Sequence, residues 1–214
     1  GIEMTAGLTI DRALLFAGIA AGLLFFIVPT IEVFRRPGFD IQRHAISMLS
    51  LGDGGWVMKA VFIVCGLLTL MCALGIYIEM SRGWARFAAA LLIGAYGFGL
   101  ILAGVFDAPA GLGFPPGTPQ DQAPVMTPSA ILHSVAFMVA FSALIASCFV
   151  FALYFLHVQQ TIWAVISLVA GIALPALIGL GISMTMAPGI AFYWAAMLGW
   201  LWFAATLLMM ARAS

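Results

Sequence analysis

Two histidines, an aspartate and two serines are the residues of this chain best equipped for chemistry: His44, His133, Asp107, Ser47 and Ser50. Two reactions fit those residue types. In the first, His44, His133 and Asp107 ligate a divalent metal, zinc by preference, and leave an open position for a water that the metal acidifies toward neutral pH. Ser47 or Ser50 then orients the substrate. In the second, Ser47 is a nucleophile, a histidine is its base, and Asp107 orients that base. A third reading needs no reaction, because the same groups can bind a ligand or hydrogen-bond within the structure. Arg35, Arg36 and Asp40 stand beside this set. The arginines can hold a lipid phosphate by charge-assisted hydrogen bonds. Alternatively they anchor the chain at an interface and pair with Glu32 at i+3 and i+4.

These residues come from separate segments, so the elements between them decide whether they meet. The chain is 64% hydrophobic and 7% charged, and its mean hydropathy is +1.17. Soluble domains carry about 25% charged residues, so the chain belongs in a bilayer. Six apolar stretches have the length of a membrane crossing, near Ala13–Phe34, Val57–Ile78, Phe87–Phe106, Ala130–Leu156, Ile162–Met184 and Ile190–Met210. Lipid offers backbone groups no hydrogen-bond partner, so each stretch must be a helix. An even number of crossings places the two long connections, 35–56 and 107–129, on the same face of the membrane. That parity gathers Arg35, Arg36, Asp40, His44, Ser47, Ser50, Asp107 and His133 on one side. His157 lies at the far end of the span that begins near His133 and is out of its reach.

The stretch Asp40–Leu51 predicts a short amphipathic helix at the interface. Ile41, Ala45, Met48 and Leu49 form an apolar stripe, and Asp40, His44 and Ser47 form a polar one. That polar stripe either faces Asp107 and His133 across a pocket or is merely wetted. The connection after Asp107 holds six prolines and no Lys or Arg, and predicts an extended cap over the bundle. Pro29 and Pro175 fall inside spans and predict kinks. Gly18 and Gly22, and Gly94, Gly97 and Gly99, offer close helix contacts within the bundle, or a seam for a second copy or a membrane-complex partner. The three cysteines, Cys65, Cys72 and Cys148, read as small buried hydrophobes. Gly1-Ile2-Glu3 reads as an appended scar, ahead of a single transmembrane domain over 4–214.

Eight basic and eight acidic residues balance, which leaves nothing to attract nucleic acid. No ionisable residue sits at a span centre, as the relay of a pump or ion-coupled transporter requires. No filter motif, P-loop, Rossmann or GxSxG signature is present. Basic residues divide evenly between the two faces. The proline-rich loop without Lys or Arg is easier to place outside the cell, which puts the termini in the cytoplasm of a multi-pass inner-membrane protein.

Two segments are familiar together. Arg36-Pro37-Gly38-Phe39-Asp40, His44-Ala45-Ile46-Ser47-Met48-Leu49-Ser50-Leu51-Gly52 and Gly55-Trp56 form the first. Gly99 to Phe106 running into Asp107, with a histidine at the start of the next span, forms the second. The chain resembles the prokaryotic membrane-protein family catalogued as domain of unknown function 998. Where that family tends to read Phe-x-x-Asp-Pro, this chain reads Phe106-Asp107-Ala108-Pro109. The resemblance implies a six-helix integral membrane fold and no agreed activity. The expected architecture is therefore an all-α bundle of six transmembrane helices with one interfacial helix and one proline-rich loop. The expected function is binding of a membrane lipid or other amphiphile in a polar pocket on the loop face, or service as an accessory subunit. The alternative is a metal-assisted, zinc-type hydrolase acting on a lipid-like substrate.

Overall fold

The computed structural model describes residues 3–5 and 8–213; Gly1 and Ile2, part of the expected scar, lie outside the described residues. A short antiparallel ribbon, β1 (Glu3–Thr5) with β2 (Leu8–Thr9), precedes six long helices. These are α1 (Ile10–Arg35), α2 (Trp56–Glu79), α3 (Trp84–Val105), α4 (Pro128–His157), α5 (Thr161–Ile182) and α6 (Pro188–Ala213). All six are long and apolar enough to cross a membrane. They match the six expected stretches; α1, α2, α4 and α6 run a few residues past them at both ends, while α3 and α5 end one and two residues short. Thr9 Oγ1 accepts from the Arg12 N–H at 3.4 Å to cap α1. Thr127 Oγ1 accepts from the Ala130 N–H at 3.1 Å to cap α4, with Pro128 in the first turn. Both α1 and α5 run through their internal prolines. Beside Pro29, Thr30 Oγ1 donates to the Phe26 carbonyl at 2.5 Å and bonds the Tyr193 hydroxyl of α6 at 2.8 Å.

Each helix packs on its neighbours in sequence, and α6 returns to α1, closing a ring. The outer faces carry exposed Leu23, Leu67, Leu91, Val169 and Leu201, which suits contact with lipid tails. Trp56 and Trp84 are exposed at helix starts, as an interfacial belt requires. Trp202 is instead buried and donates to Ser167 Oγ at 3.0 Å, joining α6 to α5. Small residues set the inner spacing. A Cβ on Gly18 would meet Cys72 Sγ and Leu207 at 2.5 Å, and one on Gly99 would meet the Ala136 carbonyl at 3.0 Å. Gly18 and Gly99 therefore face the chain's own helices. All three cysteines are free and buried.

The expected amphipathic helix over 40–51 is not formed. Residues 41–43 make a turn, Ala45 is extended, and only Ile46–Ser50 winds, as a five-residue 3₁₀ helix (η1). The Asp40 N–H donates to His44 Nδ1 at 2.9 Å, and the Leu49 and Leu51 carbonyls accept from the Arg36 guanidinium, but these groups stand at the ends of 40–51, where a helix has no internal partner for them. The Ile41 and His44 carbonyls, which a helix would use internally, instead lie against Gly189 of α6, so close that a Cβ there would collide with both. The short helix seals one end of the ring, touching α1, α2 and α6.

Candidate functional site

The two long connections are clasped around Phe114, which is fully buried. Phe39 meets it edge-on at 5.4 Å, and His44 lies at 5.4 Å. The Arg36 guanidinium sits 5.3 Å from its ring centre. Arg36 is itself buried, and donates to Leu49 O at 2.6 Å and Leu51 O at 2.5 Å. Burial lowers its pKa from the ordinary guanidinium value, with Glu32 and Asp53 acting against that shift. His44 accepts from Asp40 N–H, so its proton is on Nε2, which donates to Leu112 O at 2.7 Å. Arg43 binds Gln120 through both its side-chain and main-chain oxygens, at 2.8 and 2.5 Å. Asp40 Oδ1 accepts from the Gln42 N–H at 2.9 Å, closing its own turn. Arg35 forms a two-pronged pair with buried Glu32, at 2.7 and 3.0 Å.

One consequence is measurable. His44→Ala removes two hydrogen bonds and strands the Leu112 carbonyl. It is expected to cost about 1–3 kcal/mol, read as a lower thermal midpoint in detergent.

A second cluster joins α3 to α4. The last carbonyls of a helix have no partner within it. His133 Nδ1 supplies one, reaching Ala103 O at 3.0 Å and Phe106 O at 2.8 Å. Ser129 Oγ accepts from the Asp107 N–H at 3.1 Å, and the Asp107 carboxylate pairs with Lys59. The structure therefore divides the expected site. His44 and Asp40 belong to the loop clasp, Asp107 is paired with Lys59, and Ser50 is buried with no partner for its hydroxyl. Both nitrogens of His44 are engaged. Among the described residues, no group of three or more His, Cys, Asp or Glu is placed to hold a metal ion.

Two of the expected residues do share a space. Ser47 and His133 both line a cavity of about 410 Å³ inside the ring, with no hydrogen bond between them. Its walls are otherwise mostly apolar. Phe25, Tyr96 and Trp200 stack at one end, with Trp200 at 5.6 Å from Phe25 and 5.3 Å from Tyr96. Ser134 lines it too, its hydroxyl donating to Ala130 O at 3.0 Å. Exposed Met138 of α4 and Ile182, the last residue of α5, also line the cavity, which marks its opening toward lipid. Among the described residues, Ile182 is the one residue of α5 that lines the chamber, so α5 borders it at its last turn. The expected polar pocket is thus an apolar chamber with a few polar groups. Tyr96 escaped notice in the sequence; its only signal was a lone hydroxyl amid the apolar third span.

Six membrane-length helices ringed around an internal chamber define a multi-pass integral membrane protein. Its loops and the α3–α4 junction carry the motifs that suggested a family. The chain belongs to the family described as protein of unknown function (DUF998), whose model matches residues 19–209. No curated protein and no solved structure matches it.

Proposed function

We propose that this protein is a membrane-embedded binding protein whose ligand is an amphiphile drawn sideways from the bilayer. The observation that carries the reading is the 410 Å³ chamber, opening beside α5 between residues that are themselves exposed to lipid. Its size falls in the range of small-molecule sites, about 300–1,000 Å³. Aromatic and aliphatic walls suit a hydrocarbon chain, and the few polar groups near the clasped loops suit its head. With the termini in the cytoplasm of an inner membrane, the window faces the outer leaflet. An accessory role within a larger membrane assembly is compatible with the same chamber.

Ala196 lines the chamber from α6 and is buried. Ala196→Phe is expected to occupy the space where a ligand chain lies. Native mass spectrometry of protein released from nanodiscs should find an amphiphile on the wild type and little on the variant. The variant's own thermal midpoint should hold or rise, since filling a cavity commonly adds about 0.5–2 kcal/mol. Equal amounts of bound amphiphile on both proteins would overturn the reading.

A further inference from the structure

Resting on the chamber as an amphiphile site, we infer that the polar end of its ligand is an uncharged hydroxyl group that donates a hydrogen bond to Nε2 of His133. The side chain is 95% buried (relative exposure 5%) and lines the chamber. Its Nδ1 approaches two carbonyl oxygens, Ala103 O and Phe106 O, which only accept. The ring proton is therefore on Nδ1, and Nε2 keeps its lone pair. Among the described residues nothing donates to Nε2. A ligand that pairs with this acceptor must bring a donor.

The chamber also restricts charge. No Lys, Arg, Asp or Glu lines it. The cations nearest the loop face are occupied: Arg36 on the Leu49 and Leu51 carbonyls, Arg43 on Gln120, and Lys59 on Asp107. A phosphate or ammonium head drawn inside would be buried without a counter-ion, at a cost that excludes it. A hydroxyl is both donor and acceptor. It can donate to His133 Nε2 and still accept a hydrogen bond, and Ser47 lines the same chamber. Ser134 has given its proton to Ala130 O and offers only lone pairs, which again asks for a donor. The class of ligand is a neutral long-chain or isoprenoid alcohol, or a glyceride with a free hydroxyl, rather than a phospholipid.

The test uses the full chain in nanodiscs and three probes with the same oleyl tail: oleyl alcohol, oleyl methyl ether and oleoyl lysophosphatidic acid. Saturable shifts in thermal midpoint report affinity. The alcohol is expected to bind, the ether to bind about tenfold more weakly, and the lysophosphatidate to give no shift, in line with the loss of one hydrogen bond to a buried group. His133→Asn keeps an N–H near the Nδ1 position for the α3 carbonyls and removes the outer acceptor. It should weaken the alcohol about tenfold and leave the ether unchanged. If that variant fails to fold, the alcohol and ether compared on the wild type still decide. Equal binding of alcohol and ether would overturn the hydroxyl inference and leave the chamber's role standing. Tightest binding of the lysophosphatidate would overturn the neutrality of the head. Binding of none of the three would remove the amphiphile reading itself.

Discussion

Arg36→Ala is expected to release the loop cap and lower stability by about 3–5 kcal/mol, the lower part of what two charge-assisted hydrogen bonds, one of them only part-buried, and one ring contact supply together. The guanidinium joins three pieces of chain: the end of α1, the carbonyls of Leu49 and Leu51, and the face of Phe114. Alanine removes all three links and leaves both carbonyls to find other partners. The loss should show twice. The thermal midpoint in detergent should fall, and limited proteolysis with a broad-specificity protease should cut beside Phe114, which the wild type buries. Arg36→Lys should recover only part of the loss, since an ammonium cannot fork to two carbonyls and lie flat on a ring. An unchanged cleavage pattern in Arg36→Ala would mean that Phe114 packing alone holds the clasp.

Gly66→Val should have an effect of similar size. A Cβ at Gly66 would meet Gly97 O at 2.6 Å and Ile101 N at 3.0 Å, and a Cβ at Gly97 would meet Gly66 O at 2.8 Å. The two helices touch backbone to backbone, so neither neighbour is a flexible side chain that can swing away. Overpacking of side chains typically costs about 1–3 kcal/mol. Backbone contact on both sides argues for at least the top of that range. The expected outcome is little monodisperse protein on size exclusion, with separation of α2 and α3 as the cause. Gly179→Ala is the matched control, because nothing lies within 4 Å of its would-be Cβ. It should leave yield and thermal midpoint unchanged, and a comparable loss there would point to helix insertion rather than packing.

The bundle was legible before any coordinates because hydrocarbon thickness and backbone satisfaction leave a long apolar run one option. Composition decides that option locally, and each of the six stretches carried its own evidence. That the two loops share a face was also legible, since it follows from the parity of crossings. Polar residues in those loops were harder. His44 reads equally well as a ligand, a base or a clasp, and only its two engaged nitrogens distinguish them. Arg36 reads as a headgroup ligand or an interfacial anchor, yet its partners lie on carbonyls, whose positions no residue type announces.

The failure of the 40–51 helix has the same origin. Its two stripes repeat at helical spacing, but periodicity measures which side chains share a face. It does not measure what other parts of the chain demand of the backbone. His133 shows the converse case. Its type and place at the start of α4 marked it as useful, while the carbonyls of Ala103 and Phe106 determined which nitrogen carries the proton. The sequence by itself determined that six helices cross, that the two long loops share one face, and which family the motifs resemble, because these rest on local hydrophobicity and on counting. Tertiary structure alone decided that Arg36 and His44 hold the cap, that Ser47 and His133 reach a common chamber, and that the last turn of α5 borders its opening toward lipid. Those outcomes depend on contacts between residues far apart in the chain, and their geometry is set only when the helices pack.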